Sequence, residues 1–134
     1  MINNKTIAVV VPCYNEESQI EMVVENMPEF VDRIVIVNDF SNDQTETVVK
    51  SLIKNKVYIS SIEIKPKRVV PTPYNKAEQV LEKVNDEEIK FYTPQKTEES
   101  KSKIVLISHL QNGGVGAAIA SGYKWCKDNQ IDCT

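Results

Sequence analysis

Apolar residues in this chain gather into blocks of two kinds, unbroken runs and stripes with helical spacing, and the two kinds alternate. Thr6 to Val11 is an unbroken, β-branched run, which predicts a strand buried on both faces and central in a parallel sheet. Ile20, Val23, Val24 and Met27 then recur at helical spacing before Pro28, predicting a helix capped by Asn15 and ending near Asn26. Arg33 to Val37 repeats the buried-strand pattern. Asp43, three residues before Glu46, has the signature of a capping box, and Val48, Val49, Leu52 and Ile53 supply the apolar face of a second helix.

Strand, helix, strand, helix in that order implies right-handed crossovers and an α/β, Rossmann-like, three-layer architecture around a parallel sheet. The pattern breaks over residues 56–103, which we read as an insertion within a single domain spanning residues 1–134. Within it, Val57 to Ile64 predicts a strand, Pro66 to Pro73 a connection, and Lys76 to Val84 a helix. The helix carries a stripe of Ala77, Val80, Leu81 and Val84 that needs a surface to cover. The polar tract Thr93 to Lys103 is expected to be a mobile loop. Strand character returns at Ile104 to Ser108, and Val115 to Trp125 predicts a third helix with small residues at Ala117, Ala118, Ala120 and Gly122.

Composition narrows the class without naming a function. With 134 residues and 41% hydrophobic content the chain fits one domain with a core, and its longest apolar stretch is far too short to cross a bilayer. Its N-terminus lacks the basic region and long apolar segment of a secretory signal, so a cytoplasmic location is expected. Cys13, Cys126 and Cys133 form no Cys-x-x-Cys pair, and their odd number argues against a disulfide framework. Residues 1–49 hold 9 acidic and 2 basic side chains, and residues 50–103 hold 8 acidic and 12 basic. No arginine-rich stripe interleaved with aromatics accompanies that basic excess, so nucleic acid is a poor partner and the excess reads as a solvated face.

Three polar loops follow the three clearest strands, and in open parallel sheets ligands bind outside the carboxyl ends of strands. In the first loop Pro12 fixes the turn, Tyr14 offers a flat face for a base or ribose, and Glu16 offers an acceptor. Taken alone, the loop is somewhat better explained by Asn15 capping a helix and Tyr14 filling a gap. The second loop gathers Asn38, Asp39 and Asp43. Asp43 reads as a helix cap, whereas Asp39 has no evident local task and is the stronger ligand candidate. In the third, Gly113, Gly114 and Gly116 permit close backbone approach, and the helix N-terminus after Gly114 favours phosphate; a turn that needs glycine explains them as well. His109, the sole histidine, ends the third strand and reads as structural or incidental. No dinucleotide fingerprint, Walker loop, zinc-ligand spacing or hydrolase signature is present.

Taken together, Val9-Val10-Val11-Pro12-Cys13-Tyr14-Asn15-Glu16-Glu17, Ile34 to Thr45, and Asn112-Gly113-Gly114 with Ala117, Ala118 and Gly122 resemble the N-terminal half of a family-2 glycosyltransferase. The resemblance covers the chain outside the insertion, and the dolichol-phosphate-mannose-synthase-like branch is the nearest in flavour. It implies a truncated GT-A fold in which Pro12, Tyr14, Glu16 and Asp39 cradle the nucleotide of a nucleoside-diphosphate sugar, with Gly114 at the third loop. Asn38 stands where an aspartate is usual, Phe40 where a glycine is usual, and the linker before the third strand is longer than in the family.

The family would next supply an Asp-x-Asp segment holding Mg²⁺ or Mn²⁺ against the donor diphosphate. That motif is absent from this chain, and Asp132 is not assigned to metal. The resemblance therefore implies a metal-dependent parent enzyme, no catalytic or metal-ligating residue here, and a chain inactive alone. Membrane association would rest on regions outside this sequence, with the membrane face of the cytoplasm as the parent's station. An uncovered sheet edge predicts self-association. A non-catalytic nucleotide-binding or interaction module is the alternative, and a nucleotidyltransferase ranks third because its glycine-rich loop after the first strand is missing.

Overall fold

A computed structural model describes residues 1–60, 72–81, 83–84, 95–98 and 101–134. In chain order the elements are β1 (Ala8–Cys13), α1 (Ile20–Glu25), β2 (Arg33–Asn38), α2 (Thr45–Lys54), a 3-10 turn (Lys56–Tyr58), helical residues 76–81 and 83–84 (α3), β3 (Gln95–Glu98), β4 (Ile104–His109) and α4 (Gly114–Asp128). The sheet order is β1-β2-β4-β3. β1, β2 and β4 run parallel, and β3 adds antiparallel to β4.

Alternation along the buried strands sorts the core into two halves. Ile34, Ile36, Ile104 and Leu106 face Ile20 and Val24 of α1 and Val49 and Leu52 of α2. Val35, Val37, Val105 and Ile107 face Ala118, Trp125 and Cys126 of α4. Every residue of β2 and β4 is buried, as their unbroken apolar runs require, and each fully buried aliphatic side chain contributes roughly 1.5–3 kcal/mol relative to exposure. The arrangement is the expected α/β, Rossmann-like one, a parallel sheet with helices on both faces.

Several expectations are corrected. β1 is an edge strand, not a central one: Val9 to Pro12 are only half-buried, and Pro12, which lacks an N–H, lies within the strand opposite Val37 instead of shaping a turn. A proline inside a strand run already points to an edge. Beyond Ala8, whose N–H donates to the Cys133 carbonyl at 2.9 Å, no described residue pairs with the outer side of β1. Asp132 fastens that C-terminal segment by accepting from the Thr6 N–H and hydroxyl, each at 2.9 Å.

The insertion also differs from expectation. Val57 and Tyr58 form a 3-10 turn capped by the Asn55 side chain, with only Ile59 bridging to Ser102, in place of the predicted strand; residues 61–64 lie outside the described residues. The polar tract contributes β3, because the outer edge of β4 leaves backbone groups that an extended segment of any polarity can satisfy. The rest of the Pro66 to Pro73 connection, apart from Thr72 and Pro73, lies outside the described residues. α3 forms where predicted, but its stripe is exposed, with Val80 at 61% and Leu81 at 63%.

α4 approaches β1 closely because Gly122 lies over Val10, where an added Cβ would sit 2.3 Å from Val10 Cγ1. Gly122→Ala is expected to destabilise the protein by about 1–3 kcal/mol through overpacking. Chemical denaturation should show that loss, and Val10→Ala should restore part of it in the double variant. An unchanged midpoint for Gly122→Ala would contradict the close packing.

Candidate functional site

The carboxyl ends of β1, β2 and β4 bring three loops to one edge of the sheet. The first two are interlocked by reciprocal bonds between side chains and backbone. Asn15 N–H donates to Ser41 Oγ at 3.0 Å, and Asn42 N–H donates to Asn15 Oδ1 at 2.8 Å. Glu16 N–H donates to Thr45 Oγ1 at 3.0 Å, and Gln44 N–H donates to Glu17 Oε2 at 2.9 Å. Asn15, at φ 54°, therefore does not cap α1, which starts at Ile20 after a turn on the Glu16 carbonyl.

The expected capping box is replaced by a cap assembled across loops. Asp43 accepts from the Thr45 N–H at 3.0 Å and from the Thr45 hydroxyl, while Glu46 pairs with Lys50 at 2.9 Å. The reciprocal carboxylate that a box would take from Glu46 comes instead from Glu17.

Asp39 ties the third loop to the second. It is buried, and its Oδ1 accepts from the Gly113 N–H and from His109 Nδ1, each at 2.8 Å, while Oδ2 accepts from the Gly114 N–H at 2.8 Å. A carboxylate only accepts, so Nδ1 carries the proton, and His109 Nε2 meets Ser121 Oγ at 2.8 Å. Asp39 thus has the structural task that its local sequence does not reveal. Its carboxylate also occupies the N-terminus of α4, where a phosphate was expected, and takes up the Gly114 N–H. Burial opposes ionisation, but the bonds from Gly113, His109 and Gly114, with the attraction of His109, outweigh it and hold the carboxyl below its usual value.

Asp39, His109 and Ser121 follow the order of a serine-hydrolase relay. All three are buried, Ser121 within the interface of α4 with the sheet, so its hydroxyl meets no substrate and the chain is a structural link. Nothing near Ser121 in the sequence announced this bond; His109 at a strand end was the only signal. Ser108, opposite Asn38 in register, holds the one buried side-chain oxygen without a hydrogen-bond partner among the described residues.

The remaining candidates are distributed unequally. Tyr14 is 45% exposed, and its hydroxyl accepts from Asn42 Nδ2 at 3.5 Å. Glu16 is half-buried, and Pro12 lies within β1. Gly114 takes φ 85°, a conformation glycine suits. Phe40 takes φ 58° with 51% of its surface exposed, and a bulky residue pays about 1–2 kcal/mol for that region. Burial, with the nearby charge of Glu16, pushes the Cys13 thiol up to about 12, so it is a packing residue and not a nucleophile.

Among the described residues no three His, Cys, Asp or Glu side chains converge to hold a metal ion. No described helix is long and apolar enough to cross a membrane.

These features define an α/β domain with a cluster of polar loops at the carboxyl ends of parallel strands. A model of glycosyl transferase family 2 matches residues 8–79, more than half of the chain, and the chain belongs to that family. The match includes the first two loops and runs into the insertion, but it stops before β4 and the third loop. No curated protein and no solved structure matches the chain.

Because folding lowers the Asp39 pKa from 3.8, its ionisation adds stability that is complete above that value. The contribution is lost as pH falls below 3.8 through the folded-state pKa. Asp39→Asn is expected to cost about 2–4 kcal/mol at neutral pH and to flatten the fall in stability below pH 3.8. Acid-dependent denaturant melts of both proteins check this; parallel profiles below that pH would refute the assignment.

Proposed function

We propose that this chain is the nucleotide-binding part of a glycosyltransferase that transfers a sugar from a nucleoside-diphosphate donor to an acceptor. The observation that carries the reading is the convergence of the interlocked Tyr14 and Phe40 loops with the Gly114 loop at one sheet edge, with the first two inside the family match. Tyr14 supplies an exposed aromatic face, Glu16 a carboxylate at the loop end, and Pro12 a fixed backbone beside it. Asp39 serves by fixing the shape of the second and third loops, and Gly114 by the left-handed turn that opens α4. A parent enzyme using Mg²⁺ or Mn²⁺, a cytoplasmic location and a chain that does not transfer sugar unaided belong to the same proposal.

Isothermal titration with UDP and GDP, with and without Mn²⁺, tests the reading. One of the two is expected to bind, and Tyr14→Ala to weaken it about tenfold, the scale of one lost aromatic stacking contact, with an unchanged melting temperature because Tyr14 is exposed. Absence of binding to either nucleotide would remove the proposal.

The outer side of β1 beyond Ala8, which no described residue pairs with, carries a second part of it, self-association by strand pairing. Sedimentation velocity is expected to show a concentration-dependent dimer, and a monomer throughout the micromolar range would exclude it.

A further inference from the structure

Phe40 is the feature of the site that neither packing nor conformation explains. It takes φ 58° in a turn where the Asn38 side chain accepts from both the N–H, at 3.2 Å, and the hydroxyl, at 2.5 Å, of Ser41. Positions held in this region by a short turn suit glycine or asparagine, as Asn15 and Gly114 illustrate in the neighbouring loops. A phenylalanine there gains only partial burial in return, since half its surface still faces solvent. Backbone strain combined with an exposed aromatic, next to a buried and rigidly bonded Asp39, is the pattern of a side chain displayed for a ligand.

The surroundings say which ligand. The ring offers a π-face and no hydrogen bond, so its partner is flat or apolar. Two exposed amides, Asn15 and Asn42, lie in the same interlocked pair of loops, and Asn42 links to the exposed Tyr14 hydroxyl. A planar group with polar edges matches that combination of aromatic faces and amides better than an aliphatic chain does. We infer that Phe40 is a base-contacting residue, a second aromatic surface that stacks on the nucleobase of the donor nucleotide. The inference rests on the nucleotide-binding reading and extends it to a residue outside the set Pro12, Tyr14, Glu16, Asp39 and Gly114.

The test compares Phe40→Asn, Phe40→Trp and Tyr14→Ala with the unaltered chain. Asparagine tolerates φ above zero, so Phe40→Asn is expected to keep or raise the melting temperature while weakening UDP or GDP about tenfold, the loss of one stacked base. Phe40→Trp is expected to retain affinity, and its indole fluorescence to be quenched by the nucleotide against the background of Trp125, the lone native tryptophan, which is buried. Equal nucleotide affinity in Phe40→Asn, with binding still weakened in Tyr14→Ala, would overturn this inference alone. A Phe40→Asn variant that weakens binding only together with a fall in melting temperature would overturn it too, by assigning Phe40 to the fold. If the unaltered chain binds neither nucleotide, the functional reading fails and this inference with it.

Discussion

One carboxylate holds the business end of this domain together. Asp39 stands at the end of β2, and its two oxygens gather the start of α4 and the end of β4 through Gly113, Gly114 and His109. Each bond has a charged acceptor in a buried setting, where such bonds are stronger than neutral ones and where losing a partner costs more than the bond contributes. His109 passes the link to Ser121, so the strand end, the glycine loop and the second turn of α4 are fixed relative to one another by one polar chain. Without that chain the apolar halves of the core would still pack, but the loops at the sheet edge would have no common reference.

β2 and β4 were legible because burial on both faces leaves an unbroken apolar run, and most of the helices because one buried face leaves an apolar stripe. β2, β4, α2 and α4 lie within a few residues of where their apolar runs and stripes place them. The errors lie where non-local bonds decide. Asn15 has the residue type of a helix cap, yet it is committed to Ser41 and Asn42 of another loop. Asp43 and Glu46 have the spacing of a capping box, yet Glu17 takes the place of Glu46. The polar tract at Gln95–Glu98 carries no strand signal of its own, because its partner β4 supplies the reason for it to extend.

The candidate site was partly legible. Strand-end loops could be located because topology alone sends them to one edge, and Tyr14 and Gly114 could be named from residue type. The bonds that Asp39 makes could not be read, since its partners lie 70 or more positions away. Phe40 was visible only as a departure from an expected glycine. Its left-handed backbone and its exposure are what turn that departure into a feature with content.

The exchange of bonds between the first two loops has a bearing on how such a domain can change. Gln44 N–H relies on Glu17, Glu17 N–H on Asp43 at 3.3 Å, and Asn42 N–H on Asn15, so each loop completes the backbone hydrogen bonding of the other. A chimera that imported one loop from a relative would hand these exposed donors to water and lose the bonds that hold the two loops in register. The two loops therefore form a single structural unit, and a change at 15–17 alters the acceptors on which the backbone at 42–45 depends.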